Sequence, residues 1–259
     1  MGMLLATTKI RALVLLAALM IFELPIMAQH SGVGALSPAQ LPNPAILAQF
    51  DRGWMWVGYE PSRFGLPGLN WTYGGIAVPL VEKWRGSVEL WGRTAEGFSQ
   101  LRTRVSAAAL MTEFFAVGAT VETSRYSVVG VPTRWWGTMD VGTWVRFTRA
   151  LLGGIAVQNA LMVGGHVEQR FGVGVGWRDR LFALGFDAVI ATFRFPNTTL
   201  LLTTTPTDRA SFALQVSTSP PQLQTLLCLS MYEVILELRL AFHSLLGWRQ
   251  GLTVFLRWG

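Results

Sequence analysis

Apolar and polar residues alternate along most of this chain with a period of two. The stretch Gly251–Gly259 shows it most plainly. Leu252, Val254, Leu256 and Trp258 fall on one face of an extended strand, and Thr253, Phe255 and Arg257 fall on the other. No helical pattern follows to cover the apolar face. Such a strand is an aggregation hazard in water, yet it suits a sheet that closes on itself and turns that face to lipid.

The same alternation recurs upstream. In Gly86–Thr94, Val88, Leu90 and Gly92 oppose Glu89, Trp91 and Arg93. In Gly137–Phe147, Met139, Val141 and Val145 oppose Asp140, Trp144 and Arg146. Arg170–Arg178 sets Phe171, Val173, Val175 and Trp177 against Gly172, Gly174 and Gly176, and inward glycines would let another segment approach closely. Val234–His243 sets Val234, Leu236, Leu238, Leu240 and Phe242 against Glu237, Arg239 and His243. With Gly53–Glu60, Leu69–Val78, Leu101–Met111, Phe114–Ser124, Leu152–Leu161, Leu181–Phe193, Thr198–Thr205, Ser211–Thr218 and Leu223–Tyr232, the chain reads as about fourteen strands, with twelve as the lower count. At roughly ten residues each they have the length of tilted membrane-crossing strands. Connections of about five residues leave no room for a second domain. The fold class is all-β: a transmembrane antiparallel β-barrel over residues 51–259.

The first 28 residues read differently. Lys9 and Arg11 precede an apolar run from Ala12 to Phe22, and Ala28 suits the last position before cleavage. This is a signal peptide; a retained anchor is the alternative, but the run is about half the ~20 residues a spanning helix needs. Beyond it no apolar run approaches ~18 residues without a charge or a Gly/Pro break. Residues 29–50 form an N-terminal plug segment. Within it Asn43 reads as a helix N-cap with Pro44 at the first helical position, followed by a helix of roughly two turns.

Composition narrows the function. Only 14% of residues are charged and 51% are hydrophobic. The net charge of +6 is spread along the chain, so nucleic acid is not an expected partner. With one cysteine, Cys228, no intrachain disulfide forms. His30, His166 and His243 share no metal-ligand spacing. Gly172–Gly176 lacks the helix that a dinucleotide loop requires, and no local motif supports Ser211, Asp187 and His243 as a triad. The chain therefore reads as a non-enzyme with no catalytic residue, metal or cofactor. Alternation forces Glu89, Arg93, Asp140, Arg146, Asp187, Glu237 and Arg239 toward the lumen, where they either pair or line a solute path. Trp54, Trp56, Trp71, Trp84, Trp135, Trp136, Trp177, Trp248 and Trp258 lie near strand ends and read as an interfacial girdle.

Asn43, Pro44, Ala45, Leu47 and Ala48, placed after a leader and before a Gly/aromatic first strand, resemble the start of the FadL-like outer-membrane barrels. In that superfamily this segment lies inside the barrel as a hatch, and the barrel has fourteen strands. The run Leu152–Asn159, rich in glycine and ending in Gln158-Asn159, and Phe242–Gly247 before the last strand are similar to the PorV/PorQ branch. The resemblance implies a bacterial outer-membrane location, with outer-membrane lipid as the surrounding partner. It implies first a structural or docking subunit of an envelope assembly, with a secretion or envelope protein as partner. Alternatively it implies a passive transporter of a hydrophobic ligand. Asn43, Pro44, Ala45 and Leu47 are then the hatch residues.

Overall fold

The computed structural model describes residues 31–32, 42–61, 68–165, 168–191, 196–218, 221–244 and 246–259. The proposed signal peptide, most of the proposed plug segment before Pro42, His30 and His166 lie outside them.

Among the described residues fourteen strands follow one six-residue 3-10 turn, Pro44–Gln49. They are β1 (Gly53–Glu60), β2 (Asn70–Val81), β3 (Trp84–Ala95), β4 (Phe98–Thr112), β5 (Phe115–Val128), β6 (Val131–Arg146), β7 (Leu151–Val163), β8 (Arg170–Arg178), β9 (Phe182–Ala191), β10 (Asn197–Thr207), β11 (Ala210–Thr218), β12 (Pro221–Met231), β13 (Val234–His243) and β14 (Gly247–Trp258). Each pairs antiparallel with its sequence neighbours, and β1 pairs with β14 from Gly53↔Trp258 to Tyr59↔Leu252. The sheet closes, so no strand edge is left for lipid to contact.

Outward positions form an apolar surface. Val254, Leu240, Leu227, Phe186, Val173 and Val105 are all exposed, while their immediate neighbours in the chain point inward. A closed antiparallel barrel with an apolar outside and a polar inside is an outer-membrane β-barrel. Among the described residues no helix is long and apolar enough to cross a membrane.

The wall is uneven in height. β4, β5, β6 and β7 have 15, 14, 16 and 13 residues. By contrast β8 to β13 have 9 to 11. β6 begins six residues before the stretch in which alternation is plain. Its early part runs through Pro132, Arg134 and the Trp135-Trp136 pair, where Arg125 of β5 lies 5.7 Å from the outward Trp135 ring. An outward arginine marks wall beyond the lipid band, and there the outer face is free of the alternation that lipid imposes.

The tryptophan expectation needs correction. Trp84, Trp135, Trp177, Trp248 and Trp258 are exposed on the outer face, but Trp54, Trp56 and Trp71 are buried inside. Trp136 stacks on the inward Tyr126 with ring centroids 3.8 Å apart. Nearness to a strand end does not set the face; parity does, and these four share the parity of inward residues.

Candidate functional site

The interior is built from the inward half of each strand. We call the rim carrying the β2–β3 and β10–β11 turns the lower rim. Inside it, the 3-10 turn packs against β4, β5 and β6. Asn43 caps the turn by accepting a hydrogen bond from the Ala45 N–H at 3.0 Å. Its amide also donates to the Thr143 carbonyl of β6 at 2.9 Å. Pro44, Ala45, Ile46, Leu47 and Ala48 are buried. The approach is close because the wall carries glycines here: a Cβ on Gly118 would sit 2.5 Å from Ala45 N, and one on Gly142 would collide with the Asn43 side chain. Ala108 and Ala116 complete this small-residue seat. Phe50, just past the turn, accepts a hydrogen bond from Arg85 of β3 at 2.8 Å and meets Trp54 edge-on at 5.8 Å.

A second inner contact lies across the barrel. The buried Ser31 N–H donates to Asp187 of β9 at 2.8 Å, and Arg178 of β8 donates to the Gly32 carbonyl at 3.3 Å. A side chain at Gly174 would occupy the same space as Ser31 N and the Asp187 carboxylate. The inward glycine stripe of β8 thus admits another segment of the chain.

Two charge networks span the middle. In β3–β4–β5 the register sets Glu89 opposite Arg104, and Arg104 opposite Glu122. Arg104 lies 3.8 Å from Glu89, 3.4 Å from Glu122 and 3.7 Å from Asp140, and Arg102 lies 3.1 Å from Glu122. Asp140 also accepts the Asn159 N–H at 2.8 Å, where a bulge breaks the β6–β7 ladder and Asn159 has φ 56°. The other network joins β1, β12, β13 and β14. Arg239 donates to Glu237 at 2.7 Å and to Glu60 at 3.2 Å, Arg249 lies 3.9 Å from Glu60, and Arg249 donates to Gln224 at 2.8 Å. Gly251 stands opposite Arg239, and a Cβ there would meet the Glu60 Cγ at 2.8 Å, so the glycine makes room for the pair. Beside it the Tyr73 hydroxyl and Thr253 share a 2.7 Å hydrogen bond.

Glu89, Arg93, Asp140, Asp187, Glu237 and Arg239 are buried on the inner face; Arg93 stacks 3.6 Å from the Trp71 ring. Arg146 lies at the lower end of β6 and donates to the Glu113 carbonyl at 2.6 Å. Sequence reasoning missed Glu60, Arg102, Arg104, Glu122 and Arg249, the charged partners that complete both networks. Parity carried the signal: Glu60 shares it with Trp54 and Trp56, and Arg249 with Thr253. Ser211, Asp187 and His243 are not brought together. Ser211 stands opposite Cys228, which stands opposite Glu237, six residues from His243 on β13, and Asp187 holds Ser31. Among the described residues no group of three or more His, Cys, Asp or Glu side chains is placed to hold a metal.

A cavity of about 220 Å³ enters from the lower rim between β10 and β14. Thr207 and Asp208 stand exposed at its mouth; Cys228, Ile235, Glu237, Trp54 and Phe255 are buried at its inner end. A second depression, of about 490 Å³, faces the lipid between Tyr59, Phe212, Leu238 and Leu252.

No protein-family model matches the chain, and no curated protein sequence does either. Solved structures do. The CymD monoaromatic hydrocarbon channel matches with TM-score 0.61 at 12% identity, over 83% of this chain and 90% of that one. The Pseudomonas putida toluene transporter TodX matches with TM-score 0.56 at 9% identity, over 83% and 91%. A Pseudomonas aeruginosa FadL homologue matches with TM-score 0.55 at 11% identity, over 87% and 95%. The chain shares with these structures the fold of a closed antiparallel outer-membrane β-barrel.

Proposed function

We propose that the protein is a passive channel for hydrophobic small molecules, with the segment around Asn43–Ala48 acting as a hatch. The carrying observation is the interior itself. The 3-10 turn seats on β4–β6 and the ion pairs of the two networks lie on β1, β3–β6, β13 and β14, while a cavity enters from the lower rim between β10 and β14 and reaches Glu237 of the second network. A sealed structural barrel has no need of that asymmetry. Two of the similar structures, a monoaromatic hydrocarbon channel and a toluene transporter, support the same reading.

A docking subunit of an envelope assembly, the first implication of the sequence resemblance, now stands second. The hairpins β3–β4 and β5–β6 close through two residues each, which leaves little loop surface for a partner. On our reading the lower rim faces the periplasm, and residues 1–28 direct export and are removed.

Native mass spectrometry on barrel gently extracted from its own membrane tests the proposal. The channel reading expects a monomer carrying a small apolar mass. A stoichiometric protein partner with no small ligand would overturn it in favour of docking.

A further inference from the structure

The inward positions of β10, β11 and β12 carry no charge. They read Asn197, Thr199, Leu201, Thr203 and Thr205 on β10, then Ser211, Ala213, Gln215 and Ser217 on β11. On β12 they read Gln222, Gln224, Leu226, Cys228 and Ser230. The lower-rim cavity opens at the foot of this wall, with Ser211, Cys228 and Ser230 in its lining. Above the cavity Leu201, Ala213 and Leu226 form a buried apolar cluster of their own. Interleaved with them are Thr203, Gln215 and Gln224, each at least 96% buried. Among the described residues Thr203 Oγ1, Gln215 Oε1 and Gln224 Nε2 have no hydrogen-bond partner. Register places Gln215 directly opposite Gln224, and Leu201 opposite Gln215.

A buried polar atom without a partner is costly, and a solute or water that meets it removes that cost. These three offer an amide donor, an amide acceptor and a hydroxyl beside an apolar patch. The Arg239–Arg249 network next to them already holds two carboxylates, Glu60 and Glu237, so it presents no net charge to attract an ion. We infer that the solute path runs along the β10–β12 wall, past Cys228, and that it selects uncharged apolar molecules bearing a hydroxyl group. Such a hydroxyl can donate to Gln215 Oε1 and accept from Gln224 Nε2. This rests on the channel reading and narrows it.

Cys228 is the sole cysteine and lines the cavity, so it reports on the path without mutation. The test follows its modification by the small neutral reagent methyl methanethiosulfonate, by intact mass, in the folded detergent-solubilised barrel. Folding is checked by heat-modifiable gel migration. Benzyl alcohol, toluene and benzoate serve as probes. The inference expects Cys228 to react, benzyl alcohol to slow the reaction severalfold, toluene to slow it less and benzoate to leave it unchanged. In Gln215→Leu, benzyl alcohol and toluene protect alike. Equal protection by toluene and benzyl alcohol in the unaltered protein overturns the hydroxyl preference and leaves a hydrocarbon channel standing. An unreactive Cys228, or protection by no probe, overturns the route; native mass spectrometry then decides the channel reading independently.

Discussion

Along β3–β6 the inward positions include Arg85, Glu89, Arg93, Arg102, Arg104, Glu122, Asp140 and Arg146; along β10–β12 they include no charge. Both walls share one pleat and one lipid-facing pattern. What differs is the work asked of the inner face. The first wall holds the 3-10 turn at its foot and a buried network at mid-height, so its inner face is filled. The second keeps its side chains uncharged, and a cavity enters below it. In a membrane barrel the outside is dictated by lipid, so the inside is where one barrel differs from another.

Breaking a network should cost most. Arg239→Met leaves Glu60 and Glu237 buried without their shared cation, and we expect a loss of about 3–5 kcal/mol. The shift in urea midpoint, followed by tryptophan fluorescence in lipid vesicles, reads it. Attacking the lipid face should cost somewhat less: Val254→Arg is expected to destabilise by about 2–4 kcal/mol if it lies near the membrane midplane, by the same measurement. Gly118→Val crowds the seat of the 3-10 turn, and overpacking there should cost about 1–3 kcal/mol. Limited proteolysis across residues 42–50 should rise in that variant, whereas an unchanged cleavage pattern would mean that the turn does not depend on this seat.

These variants also show what the chain discloses before folding. Facing was legible wherever lipid enforces alternation, as at Val254 against Thr253 or Val173 against Gly174. It failed at the start of β6, where that constraint lapses, and at Trp54, Trp56 and Trp71, where an aromatic ring fills an inward position. Asn43-Pro44 announced a capped turn, and the turn is there as a 3-10 helix. Where it lands was hidden, because the seat comes from Gly118 and Gly142, far along the chain and given meaning only by register. The same holds for the pairing of Glu60 with Arg239 and Arg249, which closure of β1 on β14 brings together.

The smallest expected effect lies on the neutral wall. Thr203→Val replaces a buried hydroxyl that has no partner among the described residues with a methyl group of similar shape, and stability should hold or rise slightly. A large loss there would mean that the hydroxyl is structural.

The contrast between the walls is tested most directly by placing one thiol on each. On a Cys228→Ser background, Ser211→Cys sits in the lower-rim cavity and Ser106→Cys sits within the filled wall, beside Thr120 at 2.8 Å. Both are exposed to the same neutral thiol reagent in the folded barrel. The account predicts that the cysteine at 211 reacts much faster than the one at 106. Equal rates, or the reverse order, would contradict it.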